Sequence, residues 1–168
     1  MRQTDILPAG LNGTTPHYLT HISAKFFYYA STVAVYIYTL DTFTLVNVVT
    51  IGDSSITTFS VCGPNESRLI IGYVNGVVVC YDVVQQKVIN TTQGPTAKHT
   101  IVLCTPHDPD ICVIIDNRED VLNRVVMWIH QNEATNNNAI IKHKILEFRE
   151  DVRLTVARWH PHIHSYLA

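Results

Sequence analysis

The sequence predicts an all-β chain assembled from short, repeated four-stranded units, and three observations lead there. Apolar runs of five to eight residues recur, separated by Gly, Pro, Asn, Asp and Ser clusters. Val, Ile and Thr dominate those runs, and β-branched side chains fit a pleated surface better than a helix. Finally, a strand-end pattern of Cys or Trp, any residue, then Pro recurs along the chain. No segment carries an apolar period of 3.6 over three turns. The nearest is 145–154, where Ile145, Leu146, Phe148 and Val152 give a weak helical face suited to a connector.

Residues 1–23 form a lead-in and 24–51 a partial first unit, with apolar runs at 26–30, 33–40 and 44–51 broken by Ser31-Thr32 and Asp41. A full unit follows over 52–95, with runs at 56–61, 68–72, 77–81 and 87–92 separated by Gly63-Pro64-Asn65 and Asn75-Gly76. Asn-Gly between two apolar runs predicts a hairpin whose type I′ turn has positive φ at both central residues. The next unit spans 96–145 and carries polar insertions at 116–124 and at 131–139, the latter containing Asn136-Asn137-Asn138. Residues 146–168 open a further unit.

The repeat is carried by Cys62-Gly63-Pro64, Cys104-Thr105-Pro106 and Trp159-His160-Pro161. Cys104 follows Cys62 by 42 residues, and Trp159 follows Cys104 by 55 because of the insertions. Loop closure entropy grows only slowly with length, so inserted loops leave a repeat intact. Downstream, Val77 to Asp82 in one unit matches Val125 to Ile129 in the next. Four short strands at a spacing near 42 are the signature of a β-propeller blade. A closed propeller needs at least four blades, so the expected architecture is an open arc of about three four-stranded blades, the N-terminal piece of a longer protein.

These units resemble WD-repeat propellers, whose blades carry Trp-x-Pro or a variant at the end of the first strand and Trp-Asp at the end of the third. The second feature is matched by Tyr81-Asp82 and by Trp128-Ile129, which lacks the Asp. The opening, with Met1-Arg2-Gln3, Leu7-Pro8-Ala9-Gly10, the stretch from Tyr29 to Tyr38, Leu40-Asp41 and Gln86-Lys87-Val88-Ile89, is similar to the N-terminus of one member of that family. The resemblance implies structural roles for Pro64, Tyr81, Asp82, Pro106, Trp128, Trp159 and Pro161. It also implies a non-enzymatic scaffold for protein partners.

Composition narrows the function classes. Apolar residues make up 46% of the 168 and charged residues 15%, which excludes a disordered chain. A net charge of -2 lacks the cationic footprint of a nucleic-acid binder. The N-terminus has no apolar signal-peptide run, and the uncharged strand-former-rich stretch 26–40 is shorter than the ~20 apolar residues of a membrane helix. Cys62, Cys80, Cys104 and Cys112 lie in apolar runs without a CxxC pair, as buried free thiols do in a reducing compartment. Sequons at Asn12, Asn65 and Asn90 then carry no sugar, and the expected location is the cytoplasm.

Candidate chemistry is sparse. His160, His162 and His164 alternate, as ligands converging from one strand face would, but no carboxylate or Cys is adjacent to complete a metal site. His99 and His107 bracket a strand as loop residues. Asp108, Asp110, Glu119 and Asp120 are polar turn residues, while Glu147, Glu150 and Asp151 alternate with Arg149 and Arg153 as a solvated face. Ser54, Ser55 and Ser60 lack a nucleophile-elbow motif, and Gly72 and Gly76 lack the Lys and helix of a phosphate loop. No cofactor and no metal are implied. Partner contacts are expected on inter-strand loops, at Asn75, Arg118, Glu119, Asp120, Asn136, Asn137 and Asn138. The alternative is an RNA-binding propeller subunit of a ribonucleoprotein complex, with Tyr18, Arg68, Lys98 and Arg124 on one rim; behind it stands a metal- or carboxylate-dependent hydrolase.

Overall fold

A computed structural model of the chain describes residues 20–93, 101–104, 111–116, 124–129 and 145–147, together with Trp159. Twelve strands are described: β1 (Thr20–Ile22), β2 (Phe26–Ala30), β3 (Val35–Thr39), β4 (Leu45–Val49), β5 (Ile56–Cys62), β6 (Arg68–Tyr73), β7 (Val77–Asp82), β8 (Lys87–Gln93), β9 (Ile101–Cys104), β10 (Ile111–Asp116), β11 (Arg124–Ile129) and β12 (Ile145–Glu147). They form three four-stranded sheets, each pairing its strands in chain order, and every pairing is antiparallel. Among the described residues there is no α-helix.

Two boundaries differ from the sequence reading. The first sheet gains a fourth strand, because β1 pairs with β2 through Thr20↔Tyr29, His21↔Tyr28 and Ile22↔Phe27. Three residues are too few to show a period of two, so this strand left no pattern. At the other end, Ile145–Glu147 opens no helical connector; it is β12, paired with β11 through Val126↔Ile145 and Arg124↔Glu147. The Ile-Leu pair that suggested a helical face fits a short edge strand equally well.

The Asn75-Gly76 hairpin forms with a different turn. Only Gly76 has positive φ (81°); Asn75 does not. Gly76 N donates to Tyr73 O at 3.0 Å, closing a three-residue loop in which the glycine takes the left-handed position. Asn75 Oδ1 accepts from Val77 N at 3.1 Å and orders the exit.

The sheets stack in chain order. Tyr28, Ala30, Val35, Ile37 and Val49 of the first sheet meet Ile56, Phe59, Leu69, Ile71, Tyr73 and Val79 of the second in one apolar layer. A second layer joins Cys62, Ile70, Val78 and Cys80 to Val102 and Cys104 of β9. The middle sheet is therefore covered on both faces, which is why β6 and β7 read as continuous apolar runs rather than alternating ones. A β-bulge between Ile56 and Thr58 shifts the alternation of β5, so that Ile56 and Phe59 serve the first layer. Each fully buried Leu or Ile contributes about 1.5–3 kcal/mol.

Candidate functional site

A four-stranded meander sends its turns alternately to two ends. At one end of the first two sheets, the β2–β3 and β6–β7 turns meet the β4–β5 connection: Ile56 N donates to Thr32 O at 2.8 Å, and Val74 N to Ser55 O at 2.9 Å. At the opposite end, Leu40 N donates to Lys25 O at 2.9 Å and Val83 N to Ser67 O at 2.8 Å. Loops from successive strands are thus tied to one another on a rigid support. The first end presents exposed Thr32, Val33, Val74 and Asn75.

The third sheet continues the stack in the same direction. Val102 N donates to Thr58 Oγ1 at 3.4 Å, and Cys104 N to Ser60 Oγ at 3.0 Å. Two-residue steps in the same sense on both strands mean that β9 runs parallel to β5. Ser60, weighed above as a nucleophile, is thereby a hydrogen-bond acceptor between sheets.

Of the expected contact residues, Asn75 is exposed in its hairpin. Arg118, Glu119, Asp120, Asn136, Asn137 and Asn138 lie outside the described residues. Among the residues expected to be structural, Tyr81 packs against the first apolar layer. Asp82 Oδ1 accepts from Val84 N at 2.9 Å and Gln85 N at 2.7 Å, shaping the β7–β8 turn. Pro64 belongs to a short turn, Pro64–Glu66, that begins one residue after β5 and is closed by Glu66 N donating to Gly63 O at 3.1 Å. Tyr81-Asp82 and Trp128-Ile129 each end the third strand of their sheets. Cys62 and Cys104 each end a first strand. Trp159 lies in an isolated bridge, half-buried, with its Nε1 buried and unpartnered. Pro106 and Pro161 lie outside the described residues.

Most residues of the alternative sites fall outside the described residues. His160, His162, His164, His99, His107, Asp108, Asp110, Glu150 and Asp151 lie outside the described residues. Among the described residues no three His, Cys, Asp or Glu side chains are grouped to hold a metal ion. Of the four residues suggested for an RNA rim, Tyr18 and Lys98 are outside the described set. Arg68 begins the second strand of its sheet and Arg124 the third of the next, which places them at opposite ends.

One polar cluster was not visible in the sequence. His21 and Tyr28 are register partners with their rings edge-to-face at 5.6 Å. Tyr28 OH donates across to Glu66 Oε2 of the second sheet at 3.1 Å. Glu66 is presented by a turn in which Gly63, Asn65 and Glu66 all have positive φ, at 83°, 54° and 58°. Left-handed backbone at a non-glycine residue costs roughly 1–2 kcal/mol, a strain that the inter-sheet hydrogen bond helps offset. Burial holds the His21 imidazole below its ordinary pKa, against the pull of the Glu66 charge. Burial, the Glu66 charge and the hydrogen bond all push the Tyr28 phenol up. The cluster is a polar tie between sheets, formed by residues 38 positions apart.

No protein-family model matches the chain, and no curated protein matches it in sequence. Among solved structures, the chain is similar to the β-propeller domain of Cps50 (Swd1) from Myceliophteria thermophila, with a TM-score of 0.60 at 15% identity over 85% of this chain. The match covers 39% of that propeller domain. The three stacked meanders are β-propeller blades.

Proposed function

We propose that the chain is a non-enzymatic WD-repeat scaffold that binds protein partners through the loops at the ends of its blades. The observation that supports this is the tying of loops from successive strands on a middle sheet buried on both faces. Such a support holds contact residues at fixed spacing. The likeness of its opening to the N-terminus of WD repeat-containing protein 17 favours a place in that family. We further propose that these blades work within a larger ring, because the first sheet keeps one aromatic face without a neighbouring blade among the described residues. Affinity capture with the wild-type chain and with a Val33→Glu/Val74→Glu variant tests the reading. A partner held by the wild type and lost by the variant, at unchanged melting temperature, supports it. Salt-sensitive RNA binding at sub-micromolar affinity would overturn it in favour of the ribonucleoprotein alternative.

A further inference from the structure

We propose that Cys104 and Cys112 are a redox pair that closes to a cross-strand disulfide by exchange with a small-molecule disulfide of the glutathione class. This is independent of the scaffold reading. Cys62, Cys80 and Cys104 are buried in the single apolar layer between the second and third sheets. Cys112, the fourth cysteine, is the register partner of Cys104.

The direction of one N–H group sets the type of that pair. In an antiparallel ladder, each residue turns its N–H and C=O either toward the partner strand or away from it. Cys104 N donates to Ser60 Oγ and Val102 N to Thr58 Oγ1, both on β5. These groups point away from β10. Cys104 and Cys112 therefore occupy a non-hydrogen-bonded register position, where paired Cα atoms stand about 4.5 Å apart. A disulfide needs a Cα separation of about 4.4–6.8 Å, so the ladder brings this pair within reach without backbone movement. This separation lies inside that range, so the folded ladder favours closure over the unfolded chain. Neither other thiol has this geometry: Cys62 stands opposite Arg68, and Cys80 stands between Ile70 and Asn90.

The exchange balances. One cysteine thiolate attacks a sulfur of oxidised glutathione, expels a glutathione thiolate and forms a mixed disulfide. The second cysteine thiolate attacks the protein sulfur of that mixed disulfide, forms the Cys104–Cys112 bond and expels the second glutathione. Two cysteine thiols are oxidised, one glutathione disulfide is reduced to two thiols, and the two cysteine protons end on the released glutathiones.

The test uses the full chain, equilibrated in glutathione buffers from reducing to oxidising, both native and unfolded in urea, then alkylated, digested with trypsin and weighed. No Lys or Arg lies between the two cysteines, so both fall in the peptide 99–118. The expected result is that this peptide loses two hydrogens and resists alkylation, with an equilibrium constant about tenfold or more above that of the unfolded chain. Cys62 and Cys80 stay alkylatable after unfolding, and dithiothreitol reverses the change. A pair that stays reduced at every poise, links no better than in urea, or loses Cys104 to Cys62 or Cys80 overturns the proposal. These readouts need no variant to fold; Cys112→Ser adds a check, leaving Cys104 free or glutathionylated.

Discussion

Gly72 is buried where the second and third sheets meet, and a Cβ there would stand 3.0 Å from Thr58 Cγ2 and 3.1 Å from Val102 Cγ2. Both neighbours are β-branched and stiff, so neither yields cheaply. Gly72→Ala is expected to destabilise by about 1–3 kcal/mol in urea unfolding, the usual cost of overpacking. A loss of only a few tenths would mean that the sheets are not in contact at this point. His21 gives a pH dependence of known sign. Its folded pKa lies below the ordinary value of 6.5, so the unfolded chain binds more protons between the two. Its contribution is complete above pH 6.5 and is lost as pH falls through the folded pKa. His21→Gln should flatten the decline in stability between pH 7 and 5 relative to wild type; identical slopes in both proteins would refute this. Tyr28→Phe removes the donor to Glu66 and should cost about 0.5–2 kcal/mol at neutral pH, read from the same denaturant curves.

Strands differ in what they bury, and the difference is testable within one sheet or between two. Leu69 in β6 is fully buried between sheets, whereas Val46 in β4 is a bulge residue exposed at the outer edge of the first sheet. Leu69→Ala is expected to cost about 2–5 kcal/mol, and Val46→Ala under about 0.5 kcal/mol. Thermal melts giving similar values for both would contradict the layering. The same contrast explains which elements the sequence disclosed. β6 and β7 stood out because burial on two faces demands unbroken apolar runs, and the hairpin between them stood out through Asn75-Gly76. The turn type was misjudged because a third loop residue, Val74, relieves Asn75 of positive φ. β1 stayed hidden because it is three residues long, and β12 because two apolar residues fit either period. The tie of His21, Tyr28 and Glu66 had no local signal at all, since it exists only once one sheet lies on the next.

At the scale of the molecule, each sheet has two faces to cover, and only the middle one has both covered by described neighbours. The other face of the first sheet, which no described sheet covers, is apolar. Phe27, Tyr38 and Phe43 stack there, with Tyr38 and Phe43 at 5.0 Å and 12°, and Phe27 stacks on Tyr29 at 6.4 Å. In register with Phe27, Tyr38 and Tyr36 respectively, Ile22, Leu45 and Val48 are 68%, 47% and 42% exposed. Apolar surface of this kind on a soluble chain marks a place where another surface belongs. A sheet of the same architecture is a natural cover, because the opposite face of this sheet is buried against one. The 168-residue chain alone is therefore expected to self-associate, with sedimentation showing species larger than a monomer that grow with concentration. Leu45→Lys/Val48→Lys places two charges on that face without touching either buried layer. This variant should shift the distribution toward monomer while changing the melting temperature little. A wild-type chain that sediments as a monodisperse monomer and unfolds cooperatively would show that this face needs no partner sheet, and the larger ring would lose its physical motive.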